Sequence, residues 1–151
     1  KAYLAVIAIA YLFPESSVLI DLKVLIGSAA IMGHIFPFFM NFKGGKGIAC
    51  YLGMLLAIDW IVGINIIIFL LVMTVITDFV AVGSILIYIL VPLFVLIYTD
   101  YSLISFVIFL IVGMVGIFKH WINVKRMLTG EEFGLRSAMR KEHLQEKGEE
   151  N

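Results

Sequence analysis

The sequence predicts an all-α, polytopic integral membrane protein, a helical bundle with about six hydrophobic segments and a polar C-terminal tail. Hydrophobic residues make up 62% of the chain and the mean hydropathy is +1.08, whereas soluble globular domains are roughly 45–50% apolar. Residues 1–118 carry only nine charged side chains, and the remaining residues carry thirteen. Because lipid offers the backbone no hydrogen-bond partners, the apolar part must be helical. This composition excludes a water-soluble enzyme.

Apolar runs separated by charges and turn residues define the membrane segments. They are 2–13, 18–40, 47–58, 60–76, 79–98 and 101–118. A helix needs roughly 20 residues, with a range of about 17–25, to cross the hydrocarbon. The second segment and the last three meet this length, whereas 2–13 and 47–58 are short. Segment 47–58 is either re-entrant or continues through Asp59 and Trp60. Pro37 is expected to kink the second segment and to free a backbone carbonyl.

The distribution of basic residues predicts an orientation. If all six segments span, Lys1, the loop with Lys43 and Lys46, the Asp78 turn and the C-terminal tail share one side. The loops on the other side contain no lysine or arginine, and Lys23 in the second segment is the nearest basic residue. By the positive-inside rule the first side is cytoplasmic. We therefore expect a multi-pass protein of the inner cell membrane.

The same pattern predicts the domain organisation. Residues 1–128 are expected to form the transmembrane domain, and 129–151 a polar cytoplasmic tail that is partly disordered. A short helix is expected in the tail around Leu135–Leu144. A single cysteine, Cys50, excludes an internal disulfide and a cysteine-built metal site.

The lysine–glycine loop, residues 43–47, is a candidate phosphate site. Its sequence is Lys43-Gly44-Gly45-Lys46-Gly47. Glycines let bare backbone N–H groups approach an anion while the ammonium groups supply charge. A nucleotide-binding P-loop would need Ser or Thr after the Gly-Lys pair, so nucleotide hydrolysis is not expected. The alternative is a topology signal in which the glycines only form a turn.

A second polar cluster follows the last apolar segment. His120, Asn123 and Arg126 are spaced by three, which places them on one face of a helix. An arginine on the same face as a histidine and an asparagine can clamp a phosphate. The alternative is an interface anchor, with Trp121 in the aromatic belt and basic residues inside.

Two further polar residues lie within apolar segments. His34 precedes Lys43 by nine residues near the same end of its helix, and ionisable groups in membrane segments are often functional. A lone histidine is otherwise a hydrogen-bonded structural residue. Ser84 could donate to a phosphate if the two clusters converge on it, although small residues here also favour close helix packing.

These motifs resemble those of the acyl-phosphate:glycerol-3-phosphate acyltransferases of bacterial membranes (the PlsY type). The central motif is matched by Gly33-His34-Ile35-Phe36-Pro37 and Phe42-Lys43-Gly44-Gly45-Lys46-Gly47-Ile48-Ala49, and the C-terminal motif by His120, Asn123, Arg126, Gly130 and Glu132. The resemblance extends from Lys1 to about Glu132. That family also has an N-terminal helix and a Gly-Ser-rich loop, which are absent here, and it usually has arginine at Asp78 and serine at Ala81. The sequence is therefore expected to be either truncated or that of a diverged paralogue.

The resemblance implies transfer of a fatty acyl group from acyl phosphate to glycerol 3-phosphate, which gives lysophosphatidic acid for phospholipid biosynthesis. It implies catalytic roles for His34 and Lys46. The residues implied in substrate binding are Lys43, Gly44, Gly45, Gly47, Ser84, His120, Asn123, Arg126 and Glu132. Glu132 is expected to orient Arg126, and the acyl chain to lie among Phe36, Phe38 and Met40. No cofactor, metal or nucleic acid is implied, and the partners are the two substrates and membrane lipids. The alternative is a catalytically degenerate paralogue that binds lipid or protein; a small transporter is a weaker reading.

Overall fold

The computed structural model describes residues 1–138 as a bundle of six α-helices without strands, which confirms the all-α class. The helices are α1 Ala2–Leu12, α2 Leu19–Ile35, α3 Ile48–Ile58, α4 Trp60–Thr77, α5 Val80–Tyr98 and α6 Leu103–Leu128, with a 3₁₀ turn at Phe38–Met40. Within the described residues four stretches are long and apolar enough to cross a membrane, and they correspond to the four segments that meet this length in the sequence: Leu19–Met40, α4, α5 and α6. Helices α1 and α3 have eleven residues each.

Helix α2 ends earlier than expected, so the prediction of a kink at Pro37 was wrong. The helix stops at Ile35, and Phe36 closes it by donating its N–H to the Met32 carbonyl at 2.8 Å. Pro37 has no N–H to donate and disfavours a helical conformation in the residue before it. The chain reverses after Pro37, and the Gly44 N–H donates to the freed Ile35 carbonyl at 3.2 Å. The early end of α2 thus leaves the Ile35 carbonyl free to fix the lysine–glycine loop.

Helices α3 and α4 are separate, so segment 47–58 does not run on through Asp59. Asp59 has an extended backbone, with φ −144° and ψ 110°. Its carboxylate accepts the N–H groups of Ile61 at 2.9 Å and Val62 at 3.0 Å. An aspartate in this position satisfies N–H groups that a helix start leaves unpaired, and it therefore starts α4.

Helix α6 continues ten residues beyond the apolar segment that ends at 118. Its N-cap, Ser102, accepts the Ser105 N–H at 3.2 Å, and both serine hydroxyls donate to the Asp21 carboxylate of α2. Lys125 and Arg126 lie in the last turn, where cations interact favourably with the helix dipole. The change from apolar to polar residues after 118 is therefore a change of surroundings and not the end of a helix.

Buried residues of α1, α2, α3, α5 and α6 form the core, and aromatic rings of α3, α5 and α6 meet within it. The ring centroid of Tyr51 is 4.8 Å from that of Tyr88 and 6.3 Å from that of Phe109. Gly116 of α6 lies flat against Tyr88, and a Cβ there would be 2.6 Å from the Tyr88 Cε1 atom. This close approach fixes Tyr88 at the end of the bundle described next.

Candidate functional site

A polar cavity of about 330 Å³ lies at the end of the bundle where α4 turns into α5 and α6 ends. It is lined by Lys46, Ile48, Asp78, Phe79, Val80, Ala81, His120, Asn123, Glu132, Phe133 and Leu135. The lysine–glycine loop, the Asp78 turn and the C-terminal cluster thus meet at one site, as their expected placement on one side requires. Asp78 and Ala81, which stand where the resemblance leads us to expect arginine and serine, both border this cavity.

The glycines of the lysine–glycine loop are needed for packing against the end of α2. A Cβ on Gly44 would collide with the His34 carbonyl and lie 2.6 Å from the Pro37 Cδ atom, and a Cβ on Gly45 would lie 2.5 Å from His34 Nε2. Gly47 has φ +87°, a conformation that other residues adopt only with strain. The loop therefore lies flat on α2 and places Lys46 at the polar cavity. Both lysines are exposed, but Lys43 does not line the cavity.

Tyr88 holds the loop from the other side, a contact that the sequence analysis missed. This residue is 1% exposed, and its hydroxyl donates to the Lys46 carbonyl at 3.2 Å. A tyrosine hydroxyl buried in an apolar bundle requires a hydrogen-bond partner. The signal in the sequence was a tyrosine in the middle of an apolar segment, but nothing there identified its partner.

Replacing Tyr88 with phenylalanine is expected to lower the activity of the site about threefold to tenfold, since one hydrogen bond is worth roughly 0.5–1.5 kcal/mol. The chain should remain folded, because the ring that packs in the core is kept. The measurement is kcat/KM in reconstituted membranes for the acyl transfer that the resemblance implies. Tyr98→Phe is the matched control, since Tyr98 lies on the same helix and is 75% exposed. Equal activity in both variants would contradict the role given to the Tyr88 hydroxyl.

His120 and Asn123 are buried at the cavity, at 2% and 6% exposure. His120 Nδ1 lies 2.8 Å from the Gly116 carbonyl oxygen. Because a carbonyl can only accept, Nδ1 carries the hydrogen, and in the neutral imidazole Nε2 then keeps its lone pair. The Asn123 amide donates to the Glu132 carboxylate, which fixes the orientation of the amide.

Arg126 does not complete this cluster. Its side chain is exposed, while His120 and Asn123 are buried, so the shared helix face does not bring all three into the cavity. The Glu132 carboxylate, expected to orient Arg126, accepts from Asn123 instead, and within residues 1–138 no carboxylate lies within 4 Å of the guanidinium. The Arg126 carbonyl accepts the N–H groups of Glu131 at 2.8 Å and Glu132 at 3.1 Å. The backbone of Arg126 thus turns the chain back toward the cavity.

His34 and Ser84 also lie outside the cavity lining. The His34 ring packs against Gly45 and so supports the lysine–glycine loop. Ser84 is fully buried, and its hydroxyl donates to the Val80 carbonyl at 2.9 Å. The structure therefore brings together Lys46, His120, Asn123 and Glu132, and leaves the other predicted site residues around them.

The sequence matches a known protein family. Residues 1–130 match the family model of glycerol-3-phosphate acyltransferases. The glycerol-3-phosphate acyltransferase of Prochlorococcus marinus (strain MIT 9301) is 42% identical over 112 residues, which cover 74% of this chain and 57% of that protein. The protein of the same name from Pelagibacter ubique (strain HTCC1062) is 31% identical over 132 residues, which cover 87% of this chain and 64% of that protein.

Solved structures show the same architecture. The crystal structure of PlsY (YgiH), an integral membrane glycerol 3-phosphate acyltransferase, has a TM-score of 0.74 in its glycerol 3-phosphate form and 0.75 in its lysophosphatidic acid form, at 28% identity. These likenesses cover 89% and 91% of this chain, and 67% and 68% of those chains. The chain spans little more than half the length of the curated relatives that it matches first, 57% of each. The resemblance inferred from the two motifs is confirmed, and the chain belongs to the glycerol-3-phosphate acyltransferase family.

Proposed function

We propose that this protein transfers a fatty acyl group from acyl phosphate to the 1-hydroxyl of glycerol 3-phosphate, giving lysophosphatidic acid and inorganic phosphate. The observation that carries the proposal is the polar cavity, in which Lys46, His120 and Asn123 meet at one end of an apolar bundle. The family match and the likeness to structures in glycerol 3-phosphate and lysophosphatidic acid forms support this substrate and product. We propose, from the basic residues of its loops and the positive-inside rule, that the cavity faces the cytoplasm at the inner membrane.

The proposed reaction needs no covalent intermediate and no cofactor. The glycerol hydroxyl oxygen forms a bond to the acyl carbon, the bond from that carbon to the phosphate oxygen breaks, and the departing phosphate takes the hydroxyl proton. Because acyl phosphate is already activated, catalysis can come from positioning and charge stabilisation. Positioning of well-oriented reactants contributes about 7–11 kcal/mol.

The cavity residues fit separate tasks in this reaction. The Lys46 ammonium binds phosphate oxygens, and the amide of Asn123, oriented by Glu132, contacts the same substrate. His120 Nε2, left free by the bond from Nδ1 to Gly116, accepts a hydrogen bond from the glycerol hydroxyl. Substrate binding by Lys43, Arg126 and the loop glycines stays a prediction. Catalysis by His34 stays a prediction as well.

The apolar turn before the lysine–glycine loop suits the acyl chain. Phe38, Phe39, Met40 and Phe42 are 79%, 72%, 54% and 62% exposed between Pro37 and Lys43. Apolar side chains beside a lysine-rich loop give an amphiphile a surface for its chain next to a site for its phosphate. We therefore propose that the acyl chain of the donor lies against this turn.

One observation favours the degenerate paralogue as a second candidate. Within the described part of the chain, the charged residues that line the polar cavity are two carboxylates, Asp78 and Glu132, and one lysine, Lys46. A phosphate in the cavity would meet more negative than positive charge, and like charges at close range repel. A chain that binds lipid phosphate but catalyses no reaction would also fit this excess of negative charge.

The test is acyl transfer by the full 151-residue chain in membranes from a host without its own acyltransferase of this kind. Palmitoyl phosphate and labelled glycerol 3-phosphate are supplied, and lysophosphatidic acid is measured against membranes that carry Lys46→Met at equal expression. Labelled product above that background supports the acyltransferase. Folded protein without product, which still retains labelled lysophosphatidic acid, supports the degenerate paralogue.

A further inference from the structure

The turn between α4 and α5 binds the segment that follows α6. The Leu135 N–H donates to the Asp78 carbonyl at 2.8 Å, and the Arg136 N–H donates to Asp78 Oδ1 at 2.8 Å. Gly134 packs against the same carboxylate, so that a Cβ at this position would be 2.5 Å from Asp78 Cγ. A helical turn begins here, at 135–138, and the rest of the helix expected around Leu135–Leu144 lies outside the described residues. Asp78 therefore satisfies N–H groups that the start of this turn would leave unpaired.

The anchored segment forms one wall of the polar cavity. Glu132, Phe133 and Leu135 line the cavity, and the Glu132 carboxylate accepts the Asn123 amide. The segment is fixed at its start by the Arg126 carbonyl, which accepts the N–H groups of residues 131 and 132, and at its end by Asp78. If either attachment is lost, the position of Glu132 against Asn123 is no longer determined.

We propose that Asp78 is a positioning residue: its carbonyl and carboxylate hold residues 132–135 as a wall of the polar cavity and thereby keep Glu132 on Asn123. The ion pair with Arg136 is a minor part of this anchor. Arg136 Nε lies 4.0 Å from Asp78 Oδ1 and its side chain is 72% exposed, and exposed pairs of this kind contribute little. The hydrogen bonds of the backbone N–H groups carry the anchor. Its effect on catalysis rests on the proposed acyl transfer.

Two substitutions at Asp78 separate the effect of losing the side-chain hydrogen-bond acceptor from the effect of straining the backbone. Asp78 has φ 70°, in the left-handed region. Asparagine tolerates this conformation and keeps an oxygen at Oδ1, whereas glycine adopts it freely but has no side-chain acceptor. Asp78→Asn should therefore keep the anchor, and Asp78→Gly should remove the side-chain part of it without straining the turn. Arg136→Ala keeps the N–H and is the matched control for the ion pair.

The first measurement does not depend on activity: hydrogen exchange of the amides in residues 130–138, in the full chain in detergent. We expect exchange to be about tenfold faster in Asp78→Gly, as expected when one hydrogen bond worth about 1.4 kcal/mol is lost. Asp78→Asn and Arg136→Ala should exchange like the wild type. Wild-type exchange in Asp78→Gly would overturn the anchor.

The second measurement is steady-state acyl transfer. Asp78→Gly should raise KM for glycerol 3-phosphate about tenfold with a smaller change in kcat. Asp78→Asn should have the KM of the wild type. Gly134→Ala should resemble Asp78→Gly, because its methyl group collides with the carboxylate. The double variant should be no worse than Asp78→Gly alone, because the collision partner is gone.

Faster exchange with an unchanged KM would overturn the positioning role. Losses that add up in the double variant would also overturn it. A wild-type chain without transfer would overturn the proposed function, and the exchange rates would then decide the anchor alone.

Discussion

Replacing Lys46 with methionine is expected to lower kcat/KM for acyl transfer by about 100- to 1000-fold, the size seen when one preorganised charge-stabilising group is removed. Among the residues that the structure describes, 1–138, Lys46 is the only lysine or arginine that lines the polar cavity. In the proposed reaction the leaving phosphate gains charge as the acyl bond breaks, and among residues 1–138 no other lysine or arginine in that lining can replace the ammonium group. Methionine keeps much of the length of the side chain, so the loss should reflect the charge and not the packing.

Lys125→Met is the matched control for this prediction. Lys125 lies at the same end of the bundle, but its ammonium group is 5.8 Å from the Trp121 ring centroid and the residue does not line the cavity. The control should keep wild-type kcat/KM within about twofold, as surface substitutions usually change little. Transfer by Lys46→Met at more than a tenth of the wild-type rate would show that the cavity is not the site of the reaction.

The helices could be predicted from the sequence because in lipid the length of an apolar run nearly fixes the length of a helix. Segments 60–76 and 79–98 correspond to α4 Trp60–Thr77 and α5 Val80–Tyr98. The prediction failed where the end of an apolar run is not the end of a helix. Helix α6 runs on through polar residues to Leu128, and α2 stops two residues before Pro37 although the chain stays apolar.

The convergence of the polar motifs was also predictable, because alternating spans place them at one end of the bundle. Which lysine faces the cavity was not. That depends on a reversal in which Asn41 and Phe42 have φ of 50° and 59°, and neither value follows from residue type. The return of residues 130–138 onto Asp78 depends on a contact between positions 58 residues apart, which no local pattern indicates.

Replacing Gly44 with alanine is expected to lower kcat/KM by at least about 100-fold, because a displacement of 1 Å in a positioned group can cost that much. The new Cβ would collide with the His34 carbonyl and lie 2.8 Å from the Ile35 carbonyl oxygen and 2.6 Å from Pro37 Cδ. Backbone atoms and a proline ring cannot rotate away. The loop must therefore leave the end of α2, which breaks the hydrogen bond from the Gly44 N–H to Ile35 and moves Lys46.

Gly33→Ala provides the same chemical change eleven residues earlier, where a Cβ would meet no atom of residues 1–138 within 4 Å. This control should keep full activity and unfold at the same temperature or higher, since alanine is more favourable than glycine inside a helix by about 0.5–1 kcal/mol. Acyl transfer and thermal unfolding in detergent are measured for both variants. If the loop only marks topology, Gly44→Ala should insert and work like Gly33→Ala. If the loop positions Lys46, activity should separate the two variants even where both insert and remain folded.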